Sequence, residues 1–189
     1  MKLHKDQKVQ VQQKLVKHKR NTPFGECFLI QYIYMTYIRF IVSLLLPQLA
    51  GGIGALFTAP GENTWYQMLE KPIFNPPGWI FGPVWTILYI CMGIAVFLVW
   101  NYAQKGKEKE KALLLFWVHL VFNASWSIVF FFLQSPEWAF INILIILVFI
   151  YHLIKKFFVL NKKAAYLLIP YMVWVSFATL LNLSIVLLN

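Results

Sequence analysis

Apolar residues fall in five nearly unbroken runs, residues 37–57, 79–102, 112–133, 138–158 and 164–188, and most charged residues lie between or before them. Each run is close to the roughly 20 residues that an α-helix needs to cross a hydrocarbon core. A transmembrane barrel would instead show shorter segments of alternating polarity. The pattern therefore predicts an all-α integral membrane protein, a bundle of five transmembrane helices. Its connections are unequal. Residues 58–78 separate the first two runs, whereas little more than Gln134-Ser135-Pro136-Glu137 joins the third to the fourth. A long structured loop in a compact membrane protein is more often functional than not. No internal repeat is visible, so an inverted-repeat transporter gets no support.

Composition agrees with the pattern: the chain is 60% hydrophobic and 18% aromatic, outside the range of soluble domains. Its net charge of +10 would suit a nucleic-acid binder, but the position of each charge gives it another meaning. Threading the chain through five spans puts sixteen of the seventeen Lys and Arg residues on one side; only Lys71 falls on the other, with Glu62, Glu70 and Glu137. By the positive-inside rule the N-terminus is expected in the cytoplasm and the C-terminus outside, with anionic lipid rather than nucleic acid as the partner of the basic side. The two cysteines, Cys27 in the tail and Cys91 within a span, suggest neither a disulfide framework nor a thiolate metal site. Residues 1–36 form a basic, Lys- and Gln-rich tail before a membrane domain of residues 37–189. The tail reads as a solvated segment, a weak surface helix or a targeting segment, and synthesis from Met35 would leave it out altogether.

The loop before the second span is rich in Trp and Pro. Pro72, Pro76, Pro77 and Pro83 remove backbone donors and fix φ, so residues 71–78 are expected as an irregular, rigid cap on one membrane surface. Beneath it, helical spacing gathers unusual residues onto single faces: Trp85, Tyr89 and Met92 in the second span, Asn123, Trp126, Ser127 and Phe130 in the third, and Trp174, Phe177, Ala178, Leu181 and Asn182 in the fifth. Any one stripe taken alone is better explained by helix packing. Depth favours a site, because Trp85 lies roughly 9 Å below the start of its span and the other two faces reach the same outer half. An aromatic pocket with a few amide and hydroxyl groups suits a flat hydrophobic ligand with a polar edge. The spans carry almost no charge, which argues against a proton-coupled pump. His119 and His152 are candidate haem ligands, although a lone His more often makes an ordinary hydrogen bond. Small residues at Ala50, Gly51, Gly52, Gly54 and Ala55 allow close helix contact, inside the bundle or between two copies.

Several spaced motifs carry a resemblance to a known family. They are Trp65-Tyr66, Lys71-Pro72, Pro76-Pro77, Gly82-Pro83-Val84-Trp85, Leu88-Tyr89, Met92-Gly93, Asn123-Ala124-Ser125-Trp126-Ser127, and Pro170-Tyr171 with Trp174, Phe177, Ala178 and Asn182. Over about residues 38–189 the chain resembles the TspO/MBR family of tryptophan-rich sensory proteins and translocator proteins. The resemblance implies a five-helix membrane bundle, often homodimeric, binding porphyrins such as protoporphyrin IX and haem and other hydrophobic small molecules. It implies a tetrapyrrole as ligand and no obligatory cofactor, and a place in the bacterial cell membrane. Ligand contacts carry over to Tyr66, Trp85, Tyr89, Asn123, Trp126, Ser127, Trp174, Ala178 and Asn182. The resemblance also holds a second function, light-dependent porphyrin degradation, in which Trp85 or Trp174 would be the reactive group. An indole is oxidisable but is no acid, base or metal ligand, so the residues themselves do not demand catalysis. The chain departs from animal members at the end of span five, where Leu183-Ser184-Ile185-Val186-Leu187-Leu188-Asn189 lacks the Tyr and basic residue of their sterol-recognition stretch. This lowers the expectation of cholesterol binding.

Overall fold

The computed structural model describes residues 23–58, 64–104 and 106–189, with side chains from Ile30 onward. The basic tail up to residue 22 and loop residues 59–63 lie outside the described residues. The chain divides into two units, residues 1–39 and 40–189. The second contains the core and every residue of the candidate site.

Helix α1, Pro23–Thr58, crosses from the first unit into the second and tolerates a buried proline, Pro47, in its interior. Its C-terminal end leads into the loop, which holds one short helix, α2 (Thr64–Met68), before the prolines take over. Pro77 is extended at φ −55°, ψ 138°, and a single 3-10 turn, Gly78–Ile80, then opens helix α3 (Phe81–Tyr102). Helix α4 (Lys107–Ser127) does not end as an ordinary helix: residues Ile128–Phe132 widen into a π turn, with Leu133 N–H donating to the Ile128 carbonyl at 2.9 Å. Gln134, at φ 50°, makes the left-handed reversal that lets Pro136 start helix α5 (Pro136–Leu160) at once. Asn161 caps the next helix, accepting from the backbone N–H groups of Lys163 (3.0 Å) and Ala164 (3.3 Å). The fifth span is α6 (Lys162–Leu167) followed by α7 (Ile169–Leu188), broken just before Pro170, which cannot donate to the preceding turn.

Among the described residues five helical segments are long and apolar enough to span a bilayer: Ile30–Thr58, Gly78–Tyr102, Lys107–Phe132, Pro136–Leu160 and Lys162–Leu188. The fold is thus the expected all-α five-helix membrane bundle. Helix α5 packs against α4, α6 and α7, and α3 against α4 and α6. The interior is filled by fully buried Met92, Val96, Phe116, Ile150, Phe157 and Tyr171. Large apolar side chains such as Leu114, Val121 and Val148 stand outward. In water that surface would be a liability; in lipid it is the solvent-compatible face. Helix α1 closes on α3 through small residues: a β-carbon built at Gly93 would lie 2.7 Å from the Ser43 carbonyl oxygen. Phe40 and Phe97 then meet edge to face, with centroids 5.1 Å apart. Gly51 and Gly54 also face inward, against Tyr89 and Ser127, whereas Gly52 meets nothing within 4 Å.

Candidate functional site

Three helices and the loop bring aromatic and amide groups together at one end of the bundle. Helix periodicity puts Trp85 and Tyr89 one turn apart on α3, and their rings stack at 5.5 Å with an interplanar angle of 28°. The edge of Tyr171 from α7 stands 6.2 Å from Trp85. Below these rings runs a buried chain of hydrogen bonds. The Tyr89 hydroxyl donates to Asn123 Oδ1 (2.7 Å), Asn123 Nδ2 donates to the Tyr171 hydroxyl (2.7 Å), and that hydroxyl lies 2.9 Å from His119 Nε2. Which of the two carries the proton in the Tyr171–His119 bond is set by the imidazole tautomer. Both ends of the Asn123 amide are therefore engaged within the protein.

A second group lies directly under α2. Trp126 stacks on Phe130 at 5.0 Å, and Phe130 is met edgewise by Trp65 and Tyr66 of the loop, at 5.8 and 6.0 Å. The π turn makes this possible, because its extra residue rotates Phe130 and Phe131 onto the side that faces the loop. The Trp126 indole N–H donates to Asn182 Oδ1 (3.2 Å), and Asn182 Nδ2 donates to the Pro136 carbonyl (2.9 Å). The second amide is engaged on both sides as well. Burial pushes the Tyr66 hydroxyl above its ordinary pKa, an effect the Asn75 side chain partly offsets.

Trp174 belongs to a third group, with Phe81 at 5.8 Å and Phe177 at 5.6 Å, and Phe177 reaches Phe74 of the loop at 6.4 Å. Its indole nitrogen is buried without a hydrogen-bond partner among the described residues. Ala178 is half-buried against the main core. Ser127 sits apart from the amide chain: its hydroxyl lies against α1, 3.1 Å from where a Gly54 β-carbon would stand.

The loop is fastened to the bundle by Asn189 and braced within itself by Lys71. Asn189 at the end of α7 grips the backbone of Glu70, accepting from its N–H (2.9 Å) and donating to its carbonyl (3.1 Å). Lys71 Nζ donates to the carbonyls of Gln67 (3.2 Å) and Leu69 (3.1 Å) and rests 4.7 Å from the centroid of the Tyr66 ring.

Most of the sequence-predicted residues thus fall into two groups, Trp85, Tyr89 and Asn123 in one and Tyr66, Trp126 and Asn182 in the other, with Trp174 in a third, while Ser127 lies against α1 and Ala178 against the main core. Sequence reasoning missed Tyr171, the hinge of the amide chain, although its position three residues before Trp174 and seven before Ala178 puts it on their face. It also missed Phe81, Phe131 and the Asn189 fastening.

A five-span helical membrane protein whose loop covers an aromatic and amide cluster is the class this geometry defines. The model of the TspO/MBR family matches residues 43–188, and the chain belongs to that family. Similar proteins include the tryptophan-rich protein TspO of Archaeoglobus fulgidus, 38% identical over 82% of this chain and 99% of its own length. The tryptophan-rich protein TspO of Chlorobaculum tepidum is 41% identical over 74% of this chain and 88% of its own length. The translocator protein of Homo sapiens is 34% identical over 73% and 82%. Family and helices together make the chain a multi-pass membrane protein, and the membership supports a membrane receptor or translocator role.

Proposed function

We propose that the protein is a membrane receptor that binds porphyrins, protoporphyrin IX and haem among them, and related hydrophobic molecules in the aromatic cluster beneath the loop, with transport as a possible consequence of binding. The observation that carries this reading is the pair of aromatic stacks, Trp85 on Tyr89 and Trp126 on Phe130, the second met by Trp65 and Tyr66 of a loop fastened to the bundle. Flat π surface in a dry site is what a macrocycle requires, and each such contact contributes about 0.5–1.5 kcal/mol beyond burial. The buried, unpaired Trp174 N–H adds a neutral donor to the same region. The one-sided distribution of Lys and Arg supports a cytoplasmic N-terminus and an outer loop in this reading.

Porphyrin titration of four single variants tests the reading. Trp85→Phe and Trp174→Phe keep an aromatic ring but lose the indole N–H, and binding should weaken by about 1 kcal/mol. Trp138 is exposed and Trp100 packs on Trp117 away from the cluster, so the same change there should leave affinity intact. Equal damage at all four positions would sink the site assignment. Illumination of the complexes addresses the alternative activity. Light-dependent loss of the porphyrin band with appearance of a product, abolished in Trp85→Phe or Trp174→Phe, would make the protein an enzyme.

A further inference from the structure

The receptor reading leaves open which end of a ligand goes where, and the hydrogen-bond inventory of the site settles that from its own chemistry. A ligand's polar edge needs partners with spare capacity. The floor offers no charge: Tyr89, Asn123, Tyr171 and His119 are bonded to one another, Trp126 and Asn182 to each other and to the Pro136 carbonyl, and the open Trp174 N–H is a neutral donor. An anionic group pushed against that floor would lose its hydration and gain no charged partner.

The loop offers the opposite. Lys71 is the sole basic residue between Arg39 and Lys105. Two of its three N–H bonds go to the Gln67 and Leu69 carbonyls, and the ammonium is seated over the Tyr66 ring. The third N–H is left over, and no carboxylate among the described residues lies within ion-pair distance. Neutral carbonyls and a ring face hold the ammonium in place without cancelling its charge. Glu62, Glu70 and Glu137 share this end of the chain's topology, and among the described residues there Lys71 is the only cation.

We propose that Lys71 is an anion anchor at the mouth of the site, which takes a carboxylate on the ligand's polar edge. It orients the ligand with its apolar edge toward Trp85 and Tyr171. The ligand class is then a flat hydrophobic molecule with carboxylates confined to one edge. This rests on the receptor reading above, and the test separates the two. Protoporphyrin IX and its dimethyl ester share the ring, and the ester replaces the two anionic propionates by neutral, slightly larger methyl esters. Both are titrated against wild type, Lys71→Met and Lys71→Arg in nanodiscs of phosphatidylcholine, whose headgroups add no net charge. Wild type should bind the diacid more tightly than the ester. Lys71→Met should lose about tenfold or more for the diacid, the scale of a charge-assisted hydrogen bond, and little for the ester. Lys71→Arg should keep most of the preference. Equal losses for both porphyrins, or none for either, overturn the anchor and leave the receptor reading standing. Failure of wild type to bind either porphyrin overturns the receptor reading and the anchor with it.

Discussion

Asn123 shows how far a single residue could be read in advance. Its place on the face shared with Trp126 and Ser127 follows from helical spacing alone. Its partners do not, because Tyr89 lies 34 positions before it and Tyr171 48 positions after it. Periodicity orients a side chain within its own helix and says nothing about which group of another helix will meet it. The chain of bonds it joins makes this amide a structural element, and that has a measurable consequence. Asn123→Leu removes the acceptor for Tyr89 and the donor to Tyr171 at once, and should cost about 1–3 kcal/mol, read as a lowered thermal midpoint in detergent. Tyr171→Phe leaves Asn123 Nδ2 and His119 Nε2 each short of a partner and should cost a similar amount. Because the two changes break the same chain, the double variant should fall well short of their sum; strict additivity would show that the groups act independently. The small residues of α1 divide in the same concrete way. Gly51→Ala would drive a β-carbon into the Tyr89 ring and disturb the Trp85 stack, whereas Gly52→Ala enters open space and should be silent in both stability and porphyrin titration.

At the level of elements, the proline positions announced the irregular loop, and the apolar runs announced the five helices. The π turn at Ile128–Phe132 gave no such sign. Its sequence, Ile-Val-Phe-Phe-Phe, is apolar at every position, so it carries no polarity pattern that distinguishes one winding from another, and the wider turn is chosen by the contacts of Phe130 with Trp126, Trp65 and Tyr66. The fastening of the loop was equally hidden, since it joins residues 119 positions apart. Asn189→Ala removes both bonds to Glu70, and the amide of Glu70 should then exchange with solvent deuterium faster than in wild type while amides in the α5 interior stay protected. Unchanged exchange at Glu70 would show that the loop is held by its aromatic contacts alone. The start of the fifth span offers a cleaner local test: Asn161→Ala deletes the cap on Lys163 and Ala164 and should cost about 1 kcal/mol in the thermal transition, with Asn161→Asp restoring most of it.

For the whole molecule, the two ends of the bundle differ in charge as sharply as the sequence suggested. At one end Glu108 binds Lys111 at 3.4 Å and Lys156 at 3.2 Å, while Lys155 and Lys162 lie over the rings of Tyr151 and Phe158, at 4.6 and 5.3 Å. Long cationic side chains folded along aromatic rings at a helix end are suited to a headgroup layer, with the stem in apolar surroundings and the ammonium in water. At the other end the loop, the tight α4–α5 reversal and Asn189 carry one lysine, Lys71. The helices themselves have no preferred direction in a symmetric slab of hydrocarbon, so the asymmetry of Lys and Arg must decide the orientation. A reporter fused after Asn189 should therefore be active outside the cytoplasm, and one inserted before Lys107 should be active inside. That proposed orientation would put Lys71 and the loop on the outer face, and a membrane-impermeant amine reagent added to intact cells should then label Lys71 and spare Lys155 and Lys162. Labelling of the inner lysines with Lys71 untouched would invert the molecule and move the mouth of the proposed site to the cytoplasm.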